Sequence, residues 1–156
     1  MKISMTAIIR KHLATLTDAR TSRMSPTDIL IFYVVPVVVG VPLGLFVPSL
    51  VGAGATGGLS NGGLASFAAA IFVFWLRLKM RDEWVMPERI VKNTNELFAN
   101  LVYSVLVALC GACVASVVPP VWWGRVLVAV IGTHCALVFM MCLKRFDLIF
   151  RELCTR

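Results

Sequence analysis

Four runs without a charged residue dominate the alternation of apolar and polar positions along the chain. They are Ile29 to Ala53 (25 residues), Leu59 to Leu76 (18), Leu97 to Val118 (22) and Val126 to Leu143 (18). A hydrocarbon core about 30 Å thick takes roughly 20 helical residues at 1.5 Å each, so runs of this length read as membrane spans. A barrel strand would alternate side chains between lipid and lumen, and these runs do not alternate. The pattern predicts an all-α polytopic membrane protein with four transmembrane helices, over 29–53, 59–76, 97–118 and 126–143.

The segments between the runs have patterns of their own. Within residues 1–28, Ile8, Ile9, Leu13 and Leu16 recur at helical spacing among Arg10, Lys11, His12 and Arg20, which reads as an amphipathic helix lying on the membrane surface or binding a cytoplasmic partner. Ser25 followed by Pro26 suits a helix opening. After Leu76 the second helix should run on through Arg77 and Lys79 to Arg81, and Pro87 with Glu88 behind it should open a helix that continues to about residue 118. Residues 77–96 then form a helical hairpin projecting from the bilayer. Residues 144–156 keep helical spacing, with Asp147 and Arg151 paired at i,i+4. On the opposite side, the stretch from Gly54 to Gly63 reads as a flexible uncharged turn, and Pro119, Pro120 and Gly124 as a second one.

Composition agrees with this layout. The chain has 156 residues, of which 59% are hydrophobic and 15% charged, and its mean hydropathy is +0.87. Soluble domains carry about 25% charged residues, so a large soluble catalytic domain is excluded. Of the 15 Lys and Arg residues, all but Arg125 fall before the first span, between spans two and three, or after span four. Basic residues of short loops stay on the cytoplasmic side, so both termini are expected there. The net charge of +7 is then topology and attraction to lipid headgroups, with the bilayer as partner and no nucleic acid. No cleavable signal peptide is expected, because the first apolar run exceeds the usual length and lacks a small-residue cleavage pattern. Trp122 and Trp123 fit the outer interface, and Tyr33, Trp75 and Trp84 the inner one.

No Asp, Glu, Lys or Arg lies inside a span. Intramembrane chemistry and ion-coupled transport depend on such residues, so no enzyme, cofactor or metal is expected. The pore or gate candidates are His134, at mid-membrane, Asn100, and Pro36, Pro42 and Pro48, which interrupt the first span every six residues and free backbone carbonyls. His134 lines a pathway or senses pH on one reading; on the other it packs, bonded to Ser104, Ser116 or a backbone carbonyl. Cys110 and Cys113 form a C-x-x-C that could join His134 at a zinc ion or simply pack as small apolar residues. Gly40 and Gly44 make a G-x-x-x-G. Gly62, Ser66 and Ala70 form a stripe at four-residue spacing, as do Ser104, Ala108, Ala112 and Ser116, and such edges let helices approach closely, within one chain or between protomers of a homo-oligomer. Arg81, Arg89, Lys92, Lys144, Arg145 and Arg151 form a cytoplasmic surface for a soluble partner, or else a solvated collar.

Four spans, an uncharged first loop, a basic hairpin after span two, and a last span reading Gly132, Thr133, His134, Cys135, Ala136, Leu137, Val138, Phe139 before a cytoplasmic helix resemble small prophage membrane proteins. The nearest named family is the membrane component of lambda-type Rex phage-exclusion systems, with the likeness running from Ile29 to Glu152. The resemblance implies a bacterial inner-membrane effector of antiphage defence, oligomeric and channel-like, gated by a soluble sensor and able to depolarise the cell. His134 is the one position it carries over. A non-conducting anchor or assembly subunit and a holin-like lysis protein are the alternatives.

Overall fold

The computed structural model describes residues 30–47, 53–83, 87–119 and 121–154, with Thr6, Ile9, Arg10 and Thr27 as isolated positions. The amphipathic reading of residues 5–21, the cap at Ser25, and Pro48, Trp84 and Pro120 therefore lie outside the described residues. Every element described is helical. A π-helical turn, Leu30–Val34, leads into α1 (Val35–Phe46). α2 (Ala53–Glu83), α3 (Glu88–Val117) and α4 (Trp122–Cys154) follow. α2, α3 and α4 are long and apolar enough to cross a membrane, whereas Leu30–Phe46 is a shorter apolar helix.

The first helix is shorter than the run of residues 29–53 predicts, and the prolines explain it. Pro36 has no N–H to give to the carbonyl of Phe32, and the backbone ahead of it is wound into the wider π form. At the other end the helix stops at Phe46, and Val47 has φ −114° and ψ 88°. Val47 precedes Pro48, whose ring disfavours α backbone at the residue before it. At 1.5 Å per residue Leu30–Phe46 is about 25 Å long.

The glycine-rich stretch, read from sequence as a flexible turn, is instead the opening of α2, which is helical from Ala53. Glycine costs a helix roughly 1 kcal/mol relative to alanine in water. Away from water, each backbone group left without a partner costs several kcal/mol, so the helix prevails. Pro87 caps α3 from outside its first turn, with Glu88 the first helical residue and Ile90 N–H donating to Pro87 O at 2.9 Å. α3 ends where Val118 turns extended before Pro119. The return to α4 is tight: a Cβ on buried Gly124 would strike the carbonyl oxygen of Pro119.

In space the helices stand in the order α1, α4, α3, α2. α1 packs on α4, α4 on α3, and α3 on α2; α2 barely reaches α4, and α1 approaches neither α2 nor α3. Among the described residues the result is an open row, not a closed bundle. α1 buries one stripe at four-residue spacing, Phe32, Pro36, Gly40 and Gly44, and turns its other faces outward, with Val38 62% and Phe46 80% exposed. The core holds Val73 of α2, Leu97 and Leu101 of α3, and Val138, Cys142 and Ile149 of α4. Leu64, Phe67, Ile71, Phe74, Leu109 and Met140 are exposed. An apolar surface this extensive suits lipid, because monomeric soluble proteins rarely expose large contiguous apolar patches.

Candidate functional site

Two features dominate the interior, a junction of three helices around His134 and a groove between α1 and α2. The junction follows from Pro36. Phe32 O is the acceptor an ordinary residue 36 would satisfy, and His134 Nδ1 lies 2.9 Å from it. A carbonyl can only accept, so Nδ1 carries a proton. In the neutral ring Nε2 is then an acceptor, and Tyr103 Oη, 3.0 Å away, donates to it. Tyr103 stands edge-on to the imidazole, and Tyr33 lies with its ring centroid 5.9 Å from it. The imidazole thus joins the π-turn before α1, through Phe32 O, to α3, through Tyr103. Both ring nitrogens are engaged within the chain.

The partners proposed from sequence for His134 therefore need partial correction. A backbone carbonyl is used, but Ser104 and Ser116 are not. Ser104 Oγ lies 3.0 Å from Ser66 Oγ in a buried α2–α3 contact, and Ser116 donates to Cys113 O in its own helix at 2.8 Å. The partner is Tyr103, which is not among the small hydroxyl residues the sequence offers. Its signal was a polar-tipped aromatic in the middle of a span, where a buried hydroxyl needs a partner. Zinc does not fit: Cys110 and Cys113 are exposed, both nitrogens of His134 are engaged, and among the described residues no group of ligands converges.

The small residues are spread over several contacts. A Cβ on Gly40 would lie 2.6 Å from Val130 Cα, and one on Gly44 would run into Val126 Cα. The G-x-x-x-G therefore seats α1 on the backbone of α4. Ser66, Ala70, Ser104, Ala108 and Ala112 are buried. Gly62 takes no part in the α2–α3 contact, since a Cβ there would meet nothing within 4 Å, and its neighbour Gly63 faces Ala108 instead. Ser116 is exposed. Gly111, not singled out from sequence, allows the α3–α4 approach, where a Cβ would come 2.6 Å from Ile131 Cγ2.

The open row leaves a groove of about 560 Å³, floored by Ser104 and Ala108 of α3 and by Ala129 and Gly132 of α4, with Leu43 of α1 and Gly62 of α2 among its walls. Its hydroxyls are spent within the protein: Ser66 and Ser104 bond each other, and Thr133 donates to Ala129 O at 2.8 Å. Of the pore candidates, Pro36 and His134 meet at Phe32 O. Pro42 is exposed inside α1. Asn100 is fully buried and lies outside the groove lining.

At the basic end, Arg145 of α4 pairs with Glu96 of α3, both partly buried. Arg77 of α2 lies over the Phe98 ring of α3 at 5.2 Å. Arg151 pairs with Asp147 at 2.9 Å as the i,i+4 spacing indicates. Lys92, Lys144 and Arg151 are exposed. Of Arg81 and Arg89 only the helical backbone is described.

The chain matches no protein-family model, no curated protein and no solved structure.

Proposed function

We propose that the chain is a four-pass membrane protein with its basic ends in the cytoplasm, working as a non-enzymatic assembly subunit that does not conduct ions as a single chain. The observation that carries this reading is the open row. Of the other described long helices α1 packs only on α4, and the groove beside it is apolar, with its hydroxyls bonded to protein. Ion filters are built from rings of carbonyls or charged side chains, and the lining of this groove has no charged side chain and only hydroxyls already hydrogen-bonded within the protein. The exposed Lys92, Lys144 and Arg151 are the surface for a soluble cytoplasmic partner.

The second reading is the phage-exclusion effector that the resemblance implies, with oligomers passing ions. It is favoured by the α1 attachment: one helix held along one stripe, with a proline-freed carbonyl bonded to His134, is an element that a trigger could release. One experiment separates the two. Purified chain in liposomes gives no ion flux on the first reading, and replacing Lys92, Lys144 and Arg151 by Glu abolishes co-purification of the soluble partner. Flux from the purified chain, together with loss of membrane potential during phage challenge, supports the second reading and contradicts the first.

A further inference from the structure

The groove between α1 and α2 has a length, a size and a charged residue beyond one end. Along α4 it runs from Val128 to Phe139, eleven positions or about 16 Å of helix rise. That is close to half of a hydrocarbon core about 30 Å thick, the depth of one leaflet. Its volume is about 560 Å³. A second transmembrane helix, about 30 Å long and 10 Å across, fills on the order of 2,400 Å³, so the groove takes only a fraction of one helix face, whereas a single acyl chain matches its size. With its hydroxyls already bonded to one another or to backbone, the groove does not favour water either.

Beyond the lining, one turn before Val128 and Ala129 on the same face of α4, stands Arg125, the only charged residue between positions 97 and 143. Its Nε is buried without a hydrogen-bond partner among the described residues. Trp122 and Trp123 are exposed beside it, as befits side chains at headgroup level. Apolar contact alone gives no preference in lipid, because a tail is as content in the bilayer as in a groove. Selectivity has to come from the headgroup.

We propose that this groove holds one acyl chain of an anionic phospholipid whose phosphate is bound by Arg125, at the end of the protein away from its basic surfaces. The inference rests on the chain lying in a bilayer with α1 crossing it, as proposed above. A lipid in this position bridges α1 and α2, which do not pack on each other among the described residues, and completes the row.

Gly62 and Gly132 line the groove, and a Cβ on either would meet nothing within 4 Å. Leucine at these positions therefore fills the groove without disturbing a helix contact. The test is native mass spectrometry of the full chain in mild detergent, titrated with phosphatidylglycerol or with phosphatidylcholine. Wild type is expected to hold one phosphatidylglycerol in preference to phosphatidylcholine. Arg125→Gln should weaken the anionic lipid about fivefold, and Gly62→Leu and Gly132→Leu should lose lipid of either kind while keeping the wild-type thermal midpoint. Equal binding of the two lipids by wild type, or unchanged binding by both leucine variants, overturns the site. So does efficient cross-linking between two copies through Gly62→Cys in native membranes, which would put a second protomer in the groove. Reporters on the chain termini test the four-pass reading separately, so the two cannot fail unnoticed together.

Discussion

At the scale of single residues, His134 serves as a fastener. It supplies a donor to the carbonyl that Pro36 leaves without an α-helical one and an acceptor to the Tyr103 hydroxyl. Inter-helix hydrogen bonds in membranes average about 0.6 kcal/mol and reach about 2. His134→Leu should therefore lower stability by about 1–2 kcal/mol, read as a lower thermal midpoint in detergent. Tyr103→Phe should cost less, and in the His134→Leu background it should cost less still than in the wild type, since the bond between the two is already gone. A double variant whose losses simply add would show that the two side chains do not interact. The sequence made half of this legible: prolines free carbonyls, and the carbonyl four residues before Pro36 belongs to Phe32. What pairs with it depends on which helix lies alongside, and one-dimensional spacing does not carry that.

Among the elements, the α1–α4 contact is held by glycines against backbone. Gly40→Leu or Gly44→Leu should displace α1, because the obstructing atoms belong to the α4 main chain and cannot rotate away. Overpacking costs typically about 1–3 kcal/mol even where side chains can yield, so these variants should show proteolytic cutting between α1 and α2. Gly57→Leu, where a Cβ meets nothing within 4 Å, should behave as wild type. The α3–α4 contact has its own fastening at the basic end. Glu96→Arg should destabilise by about 1 kcal/mol, and adding Arg145→Glu should recover most of it; no recovery would mean that the pair is incidental. Helix existence was legible wherever an uncharged run was uninterrupted. It failed at both ends of the first connection, for opposite reasons. Prolines shortened the 29–53 run, whereas glycines that read as a turn from Gly54 onward became helix because unpaired backbone is costlier away from water than glycine's entropy.

For the whole molecule, the row α1, α4, α3, α2 was not legible, because stripes of small residues name faces but not neighbours. The stripe with Ser66 finds its partner with Ser104 inside one chain, and the G-x-x-x-G, which could have joined protomers, is occupied by α4. Charge placement was the more durable signal, since the exposed Lys92, Lys144 and Arg151 stand at the end opposite Arg125. The topology turns on the crossing of α1, whose described helical length is about 25 Å and whose π-turn and prolines make it the least regular element. With four crossings the two termini share a side; with three they are opposed. Fusing to each terminus of the full chain, in turn, a phosphatase active only outside the cytoplasm and a fluorescent protein active only inside measures this directly. Fluorescence without phosphatase activity at both ends is the predicted result, and phosphatase activity at the amino terminus with fluorescence at the carboxyl terminus would contradict it.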